Sequence, residues 1–92
     1  MKVKVASIYY DVEIEKDLCD VEGVRVNGCL NTDTCVIGID AGMGEEKTRV
    51  ELWHEILHTL ELHFDISMTE RVIARLARGI AMVLEDNPVL RQ

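Results

Sequence analysis

VELWHEILHTLELHF, residues 50–64, is the stretch that decides the fold, because its apolar residues recur at the spacing of a helix. They stand three and four positions apart and form one stripe, which comprises Val50, Trp53, Leu57, Leu60 and Phe64. Two more apolar residues, Leu52 and Ile56, widen the apolar surface on one side of that stripe. The pattern predicts a helix from about Glu45 to about His63 that is packed on several sides.

Within this helix, His54-Glu55-Ile56-Leu57-His58 places two imidazoles one turn apart on the same face. Histidines at this spacing can bind one divalent ion, and the acid beside the first histidine then lies over that ion. Zinc held by neutral imidazoles lowers the pKa of a coordinated water toward neutrality. The motif therefore predicts a zinc hydrolase, with His54 and His58 as metal ligands and Glu55 as the general base and acid.

The same five residues also have a structural interpretation. Only three positions of the motif are constrained, so chance matches occur on ordinary helices. In that case the histidines lie at the edge of the core and bond to carboxylates such as Glu51 and Glu61. The long apolar segment around the motif favours the metal site, because such a site must exclude bulk water.

A catalytic zinc usually takes three protein ligands, so one ligand must come from outside the motif. His63 lies nearly opposite the motif histidines on the helix and cannot join them unless the helix ends early. Glu61 lies one turn beyond the motif, and Asp65 would have to fold back through a sharp turn. Glu70 is preferred, because an antiparallel second helix brings its own first turn close to His58.

The residues before the motif helix predict a small sheet. Alternation from Lys2 to Glu15 indicates one half-buried strand, or two strands bent near Ser7. Residues 16–22 indicate a connector or a short helical turn. Strands at 23–30 and 35–40, joined by turn residues 31–34, form an antiparallel hairpin. The predicted fold is α+β, with an antiparallel sheet of about three strands followed by two packed helices.

Ser67-Met68-Thr69-Glu70 has the S-x-x-E form of a capping box and predicts the start of the second helix. Apolar residues continue at helical spacing up to Asn87-Pro88, where proline cannot continue the helix. Glu70 has a competing role in this box, where it bonds to the Ser67 backbone N–H instead of a metal. Gly79, in the middle of the helix, predicts a close contact with another helix, because glycine costs about 1 kcal/mol there.

Composition and charge set the class of protein. The chain has 92 residues, 48% of them apolar and 29% charged, which is typical of a single soluble domain spanning residues 1–92. The net charge of −7 disfavours nucleic-acid binding, which depends on basic clusters. In so small a domain we expect a shallow site, or one that a basic or neutral protein partner completes.

The sequence predicts a cytoplasmic protein without a membrane span. The first residues alternate charge and valine, and no apolar run is long enough for a signal peptide or a bilayer span. Cys19, Cys29 and Cys35 cannot all pair with one another, and their spacing matches no standard zinc site. Free thiols in a reducing compartment are predicted, and a disulfide between Cys29 and Cys35 is the alternative.

Residues 35–88 resemble the ImmA/IrrE family of small zinc metallopeptidases, especially the short members carried by phages and other mobile elements. The resemblance rests on one HExxH helix after a small sheet and on a second helix that opens with an acid. In that family the acid completes the zinc site and begins a block with a downstream Phe-Ala or similar pair. The segment Glu70-Arg71-Val72-Ile73-Ala74-Arg75-Leu76-Ala77 aligns with that block, which implies Glu70 as the third ligand and a minimal zincin-like fold.

The chain departs from the family pattern at two places. The eleven residues between His58 and Glu70 form a shorter spacer than is usual, and Ala74 occupies the family's asparagine position. The extra domain of larger members has no counterpart here. The metzincin pattern does not fit at all, since Glu61 and Phe64 occupy the positions of its glycine and histidine.

The resemblance implies a zinc-dependent endopeptidase that cleaves a helix-turn-helix repressor of a mobile element and so releases transcription. Two alternatives remain open. One is a non-catalytic metal-binding protein that sequesters a repressor or a host protein, and the other is a hydrolase that acts on a different class of substrate. Glu55 favours an enzyme, because a purely structural zinc has no use for that acid.

Three further features have two interpretations each. The strand at 35–40 either lies along the cleft as an edge for substrate backbone or is an ordinary buried strand. Tyr9 and Tyr10 are expected to pack rather than stabilise an oxyanion. A basic row on the second helix, formed by Arg71, Arg75 and Arg78, is either a solvated face or a docking surface for an acidic partner.

Overall fold

Four strands form one layer and two helices the other in the computed structural model, which describes residues 1–91. The strands are β1 (Lys2–Val5), β2 (Ile8–Glu15), β3 (Gly28–Asn31) and β4 (Val36–Asp40). The helices are α1 (Glu45–Phe64) and α2 (Glu70–Asp86), and a short 3-10 helix follows at Pro88–Arg91. The predicted α+β fold, a small sheet followed by two packed helices, is confirmed.

The strands lie in the order β1-β2-β4-β3. β1 and β2 form an antiparallel hairpin that turns at Ala6 and Ser7, so the prediction of two strands bent near Ser7 is confirmed. β3 and β4 form a second antiparallel hairpin. β2 and β4 are parallel, because the connector from β2 carries the chain to the outer edge before β3 begins. The sheet is therefore mixed and has four strands, not antiparallel with about three.

The connector between β2 and β3 is longer than predicted. β3 begins at Gly28, not at Gly23, because Asp20 holds the preceding residues in a turn. Its carboxylate accepts hydrogen bonds from the backbone N–H groups of Glu22 and Val24, each at 2.9 Å. Gly23 lies in this turn with a φ of +81°, a conformation that strands do not adopt.

Helix α1 is buried on two sides. One side packs on the sheet in a core cluster of Val5, Tyr10, Ile37, Ile39 and Ile56. The other side packs on α2 in a second cluster of Leu57, Ile73 and Ala77. The predicted stripe is thus shared between two neighbours, except for its last member, Phe64, which is exposed where the helix ends.

The start of α2 differs from the predicted capping box. Thr69, not Ser67, is the N-cap, and its hydroxyl oxygen accepts a hydrogen bond from the Val72 N–H at 3.2 Å. Glu70 is consequently the first helical residue and takes no part in a cap with Ser67. The helix ends at Asp86, two residues before Pro88, as predicted.

Two other predictions concern Gly79 in α2 and the three cysteines. Gly79 makes no close contact within the described chain, since a Cβ built there meets no atom within 4 Å, so the predicted intramolecular contact is wrong. Cys19, Cys29 and Cys35 are free thiols.

Of the helices within residues 1–91, none combines the length and the apolar character needed to cross a membrane.

Candidate metal centre

The motif histidines of α1 point to one shared space. Their ring centroids lie 5.0 Å apart. One nitrogen of His54, one nitrogen of His58 and one carboxylate oxygen of Glu55 all lie within 4.8 Å of one another. The spacing of four residues on a helix produces this convergence, because side chains at i and i+4 lie on the same face.

Glu70, the first residue of α2, lies across both imidazoles. One oxygen, Oε2, is 3.1 Å from Nε2 of His54, and the other, Oε1, is 2.9 Å from Nε2 of His58. Antiparallel packing of α2 on α1 brings this carboxylate to the histidines. Two imidazole nitrogens and a carboxylate oxygen are a ligand set that suits zinc.

Glu61 lies on the opposite edge of the His58 ring. Its Oε1 is 2.9 Å from Nδ1 of His58, and its Oε2 accepts a hydrogen bond from the Met68 N–H at 2.7 Å. The bond from Met68, with a smaller contribution from His58, holds the pKa of Glu61 below its usual range. Glu61 therefore orients the His58 ring from behind instead of facing the shared space.

The remaining candidate ligands lie elsewhere. Asp65 forms the C-cap of α1 with a φ of 52°, and its backbone N–H bonds to the carbonyl of Glu61. His63 faces the sheet, where its Nε2 lies 2.6 Å from the buried Tyr10 hydroxyl. Tyr9 is exposed and lies under the Lys4 ammonium, 5.3 Å from it. Of the acids considered as the third ligand, Glu70 is the one placed between both Nε2 atoms.

The Glu55 carboxyl is buried within the centre. Burial raises its pKa to about 8, assisted by the charge of Glu51, by a hydrogen bond with Glu51 and by the charge of Glu70. At such a pKa the protonated form of Glu55 is favoured at neutral pH in the absence of a cation, with Glu51 as the acid that favours it. A divalent cation beside the carboxyl reverses this preference and favours the ionised form.

Glu51 is a site residue that sequence reasoning treated only as a hydrogen-bond partner for the histidines. Its position four residues before Glu55 was the available signal, because that spacing puts both carboxyls on one helix face. Gly28 of β3 makes room for it. A Cβ at Gly28 would come within 2.6 Å of the Glu51 Oε1, so glycine lets this side chain lie against the strand.

An open cleft of about 740 Å³ lies in front of the histidines. The connector and the start of β3, residues 25–28, form one wall, and the other wall consists of Glu51, His54, Glu55, His58 and Glu70. β3 is an edge strand, whereas β4 pairs with a strand on each side. The prediction that strand 35–40 forms the edge of the cleft is therefore wrong, and its buried alternative is correct.

Arg25 fixes the connector that forms this wall. Its guanidinium lies 3.3 Å from the carboxylate of Asp17 and 3.4 Å from that of the buried Asp40. Asp40 also accepts hydrogen bonds from the Leu18 and Gly42 N–H groups at 2.9 and 3.0 Å. These backbone bonds, followed by Arg25, hold the pKa of Asp40 below its usual range. No local sequence signal marks Arg25, because its partners are far away in the chain.

Comparison with known proteins adds no relative: no family model matches the sequence, and no curated protein or solved structure is similar enough to count as a match. The resemblance to the ImmA/IrrE family therefore stays a prediction. Function has to be inferred from the arrangement of the side chains, since a fold alone does not define one.

Proposed function

We propose that this protein is a zinc-dependent endopeptidase in which His54, His58 and Glu70 bind Zn²⁺ and Glu55 is the general base. The observation that carries the proposal is the Glu70 carboxylate, whose oxygens lie 3.1 and 2.9 Å from the Nε2 atoms of the two histidines. Two imidazoles and one carboxylate form the ligand set of many catalytic zinc sites, which keep a fourth position for water.

The chemistry follows from the residues around that position. Bound zinc supplies Lewis acidity that brings the pKa of a water molecule toward neutrality. Glu55, next to the histidines, accepts the proton of this water as it attacks a peptide carbonyl and then donates it to the leaving amine. Glu61 keeps His58 oriented throughout, because it holds Nδ1 and leaves Nε2 toward the site.

The cleft fits an extended peptide as the substrate. β3 is the last strand of the sheet, and its first residue, Gly28, lines the cleft together with residues 25–27. Pairing with such an edge binds the substrate backbone and requires little of its side chains. A helix-turn-helix repressor of a mobile element is the substrate that we propose from the family resemblance. The free thiols support a cytoplasmic location for the reaction.

A second candidate function is a metal-binding protein that sequesters a repressor or host protein without cleaving it. The observation in its favour is the openness of the site, since 69% of the Glu70 side chain is exposed. A partner could therefore contact the metal centre directly. The buried Glu55 beside the histidines favours the peptidase, because sequestration does not need a general base.

The decisive experiment compares wild type with Glu55→Gln after both proteins are loaded with zinc. Metal content is measured first, and each protein is then incubated with the repressor encoded beside its gene. We expect one zinc in both proteins and cleavage by wild type, with a rate at least about 100-fold lower in Glu55→Gln. Glu46→Gln, an exposed acid in the first turn of α1, is the matched control and should behave as wild type.

Two results would contradict the peptidase. The absence of bound zinc in wild type removes the metal centre itself. A stable complex with intact repressor, formed equally by wild type and Glu55→Gln, supports sequestration instead. Product sequencing then identifies the scissile bond if cleavage occurs, and a match between that segment and an extended region of the repressor supports binding at the β3 edge.

A further inference from the structure

Three arginines form one basic strip on the exposed side of α2. Arg71, Arg75 and Arg78, which we call the α2 row, are all exposed. Their spacings of four and three residues place them within about 60° of one another around the helix and within about 10 Å along it. Ile73 and Ala77, which pack against α1, lie on the other side of the helix. The row is therefore open to a partner along its whole length.

The α2 row has no acid partner in the described chain. None of its three guanidinium groups takes part in an ion pair within residues 1–91. The protein has 17 acidic residues against 10 lysines and arginines, yet α2 contains no acid between Arg71 and Leu84. Three positive charges thus lie together in a chain whose net charge is −7. Such a strip is complementary to a negatively charged partner.

The α2 row borders the candidate metal centre. Arg71 directly follows Glu70, the residue whose carboxylate lies across both histidines. Arg78 lines a second cavity, of about 850 Å³, which adjoins the metal cleft because Asn27 and Glu51 line both. One substrate chain can therefore occupy the cleft and the row together.

The acids near Arg78 leave its charge available. Four acids line the second cavity with Arg78, and none of them forms an ion pair with it. One of these acids, Glu85, instead lies 3.6 Å from the guanidinium of Arg49. Arg71 and Arg75 line neither this cavity nor the metal cleft. The row is thus a basic strip on an otherwise acidic protein.

We propose that the α2 row is a docking site, outside the cleft, for an acidic segment of the protein substrate. The choice of a substrate as the partner rests on the proposed peptidase function. Each guanidinium presents a planar fork of N–H donors that binds both oxygens of a carboxylate. Docking at the row holds the substrate chain near the cleft and raises the local concentration of its scissile segment.

A protein segment fits the row better than a nucleic acid does. Nucleic-acid binding depends on basic surfaces that neutralise many phosphates and release their counterions. The row has three cations on a chain whose net charge is −7, and that net charge repels a long polyanion. A short acidic segment pairs with the row and brings little further negative charge against the rest of the surface.

The first experiment measures binding without cleavage. The metal-free full chain is titrated into a fluorescein-labelled peptide of glutamate and alanine, or into its counterpart with glutamine for glutamate, and fluorescence anisotropy is recorded. We expect a dissociation constant of about 10–100 µM for the acidic peptide at low salt, with weaker binding as salt is added. The glutamine peptide should bind at least about tenfold more weakly.

Variants assign this binding to the α2 row. The triple variant Arg71→Gln, Arg75→Gln, Arg78→Gln should bind the acidic peptide at least about tenfold more weakly than wild type. The matched control removes the same charge from three exposed lysines of the sheet region and should keep the wild-type dissociation constant. It carries Lys2→Gln, Lys4→Gln and Lys16→Gln. If the triple arginine variant does not fold, Arg75→Gln alone should still weaken binding about two- to fivefold.

The second experiment tests docking during turnover. The peptide that contains the cleaved bond, identified from the repressor products, is prepared with and without an appended acidic segment. In wild type the appended segment should lower KM at least about fivefold and leave kcat unchanged, because docking outside the cleft contributes equally to ground state and transition state. In the triple arginine variant the two peptides should have the same KM.

The outcomes separate the row from the peptidase. Equal affinity of wild type and the arginine variants for the acidic peptide, or equal affinity of wild type for the acidic and glutamine peptides, overturns the docking site. Tighter binding of a labelled DNA duplex than of the acidic peptide, lost in the triple arginine variant, also overturns it, because the row then serves a nucleic acid. Absence of cleavage contradicts the peptidase, and the anisotropy measurement then decides on the row by itself.

Discussion

The Glu61 carboxylate lies 2.9 Å from Nδ1 of His58, on the edge of the ring opposite the nitrogen that faces Glu70. This contact favours a proton on Nδ1 and leaves the Nε2 lone pair directed into the centre. The same carboxylate accepts the Met68 N–H, two residues before α2 begins. One acid thus orients a candidate ligand and fixes the segment that delivers Glu70.

Substitution of Glu61 and substitution of Glu70 should weaken zinc binding to different degrees. Glu61→Ala removes a residue that only orients a ligand, so we expect zinc to bind about 10–100-fold more weakly but with unchanged stoichiometry. Glu70→Ala removes a ligand and should weaken binding by more than that. Competition with a chromophoric chelator measures both, with Asp65→Ala as the control. If Asp65→Ala weakens binding more than Glu70→Ala, the assignment of the third ligand is wrong.

Zinc should stabilise the folded protein through the same residues. A ligand that binds only the native state stabilises it by about 2.7 kcal/mol when its concentration is 100 times the dissociation constant. The melting temperature should therefore rise when zinc is added and fall back to its original value when a chelator is added. His58→Ala should show no shift, because one imidazole and one carboxylate bind zinc too weakly. An equal shift in wild type and His58→Ala would place the metal elsewhere in the chain.

Glu55→Gln should stabilise the metal-free protein at neutral and alkaline pH. The pKa of Glu55 rises from 4.5 to about 8 on folding, so the native state keeps a proton that the unfolded state has lost between these values. Stability therefore falls as the pH rises through this window. The glutamine side chain at position 55 does not titrate, and it can still donate a hydrogen bond to Glu51.

We expect the free energy of unfolding of Glu55→Gln to exceed that of wild type by about 1–3 kcal/mol at about pH 8 and to equal it at about pH 4. Urea unfolding in the presence of chelator, repeated across this range, measures the difference. Glu46→Gln, which changes the same charge at an exposed position, should follow the wild-type curve. A gain that does not vary with pH would mean that packing, not titration, is responsible.

The sequence predicted those parts of the fold and site that local geometry determines. The spacing of four residues between His54 and His58 is sufficient to bring their rings together on a helix. The start of α1 at Glu45 and the end of α2 before Pro88 follow from the end signals of a helix. The position of Glu70 near both rings required only that α2 pack antiparallel to α1.

Features that depend on distant residues could not be predicted in this way. The parallel pair of β2 and β4 joins Asp11 to Val36, and no local signal records that register. Ser67 and Thr69 are both good N-caps, and the chain geometry before α2, which the Glu61 bond to Met68 helps to fix, selects Thr69. The wall formed by residues 25–28 arises from the contact of Arg25 with Asp40, 15 positions later.

Asp40→Asn should make the fold less stable at neutral pH but not in acid. Asp40 is 4% exposed and accepts the Leu18 and Gly42 N–H groups, and these bonds, with the charge of Arg25, lower its pKa on folding. Because the folded pKa is depressed, the contribution of the carboxylate is fully present above its unfolded pKa of about 4. This stabilising contribution is lost as the pH falls through the lower pKa that Asp40 has in the folded state.

Asparagine keeps the shape of Asp40 but carries no charge, so we expect a lower free energy of unfolding than that of wild type at about pH 7. The difference from wild type should shrink below about pH 4 and vanish once the wild-type carboxyl is protonated. Denaturant unfolding at several pH values measures it, with Asp33→Asn in the exposed turn before β4 as the control. A difference that persists undiminished in acid would show that asparagine misfits the turn, and would rule out loss of the charge as the cause.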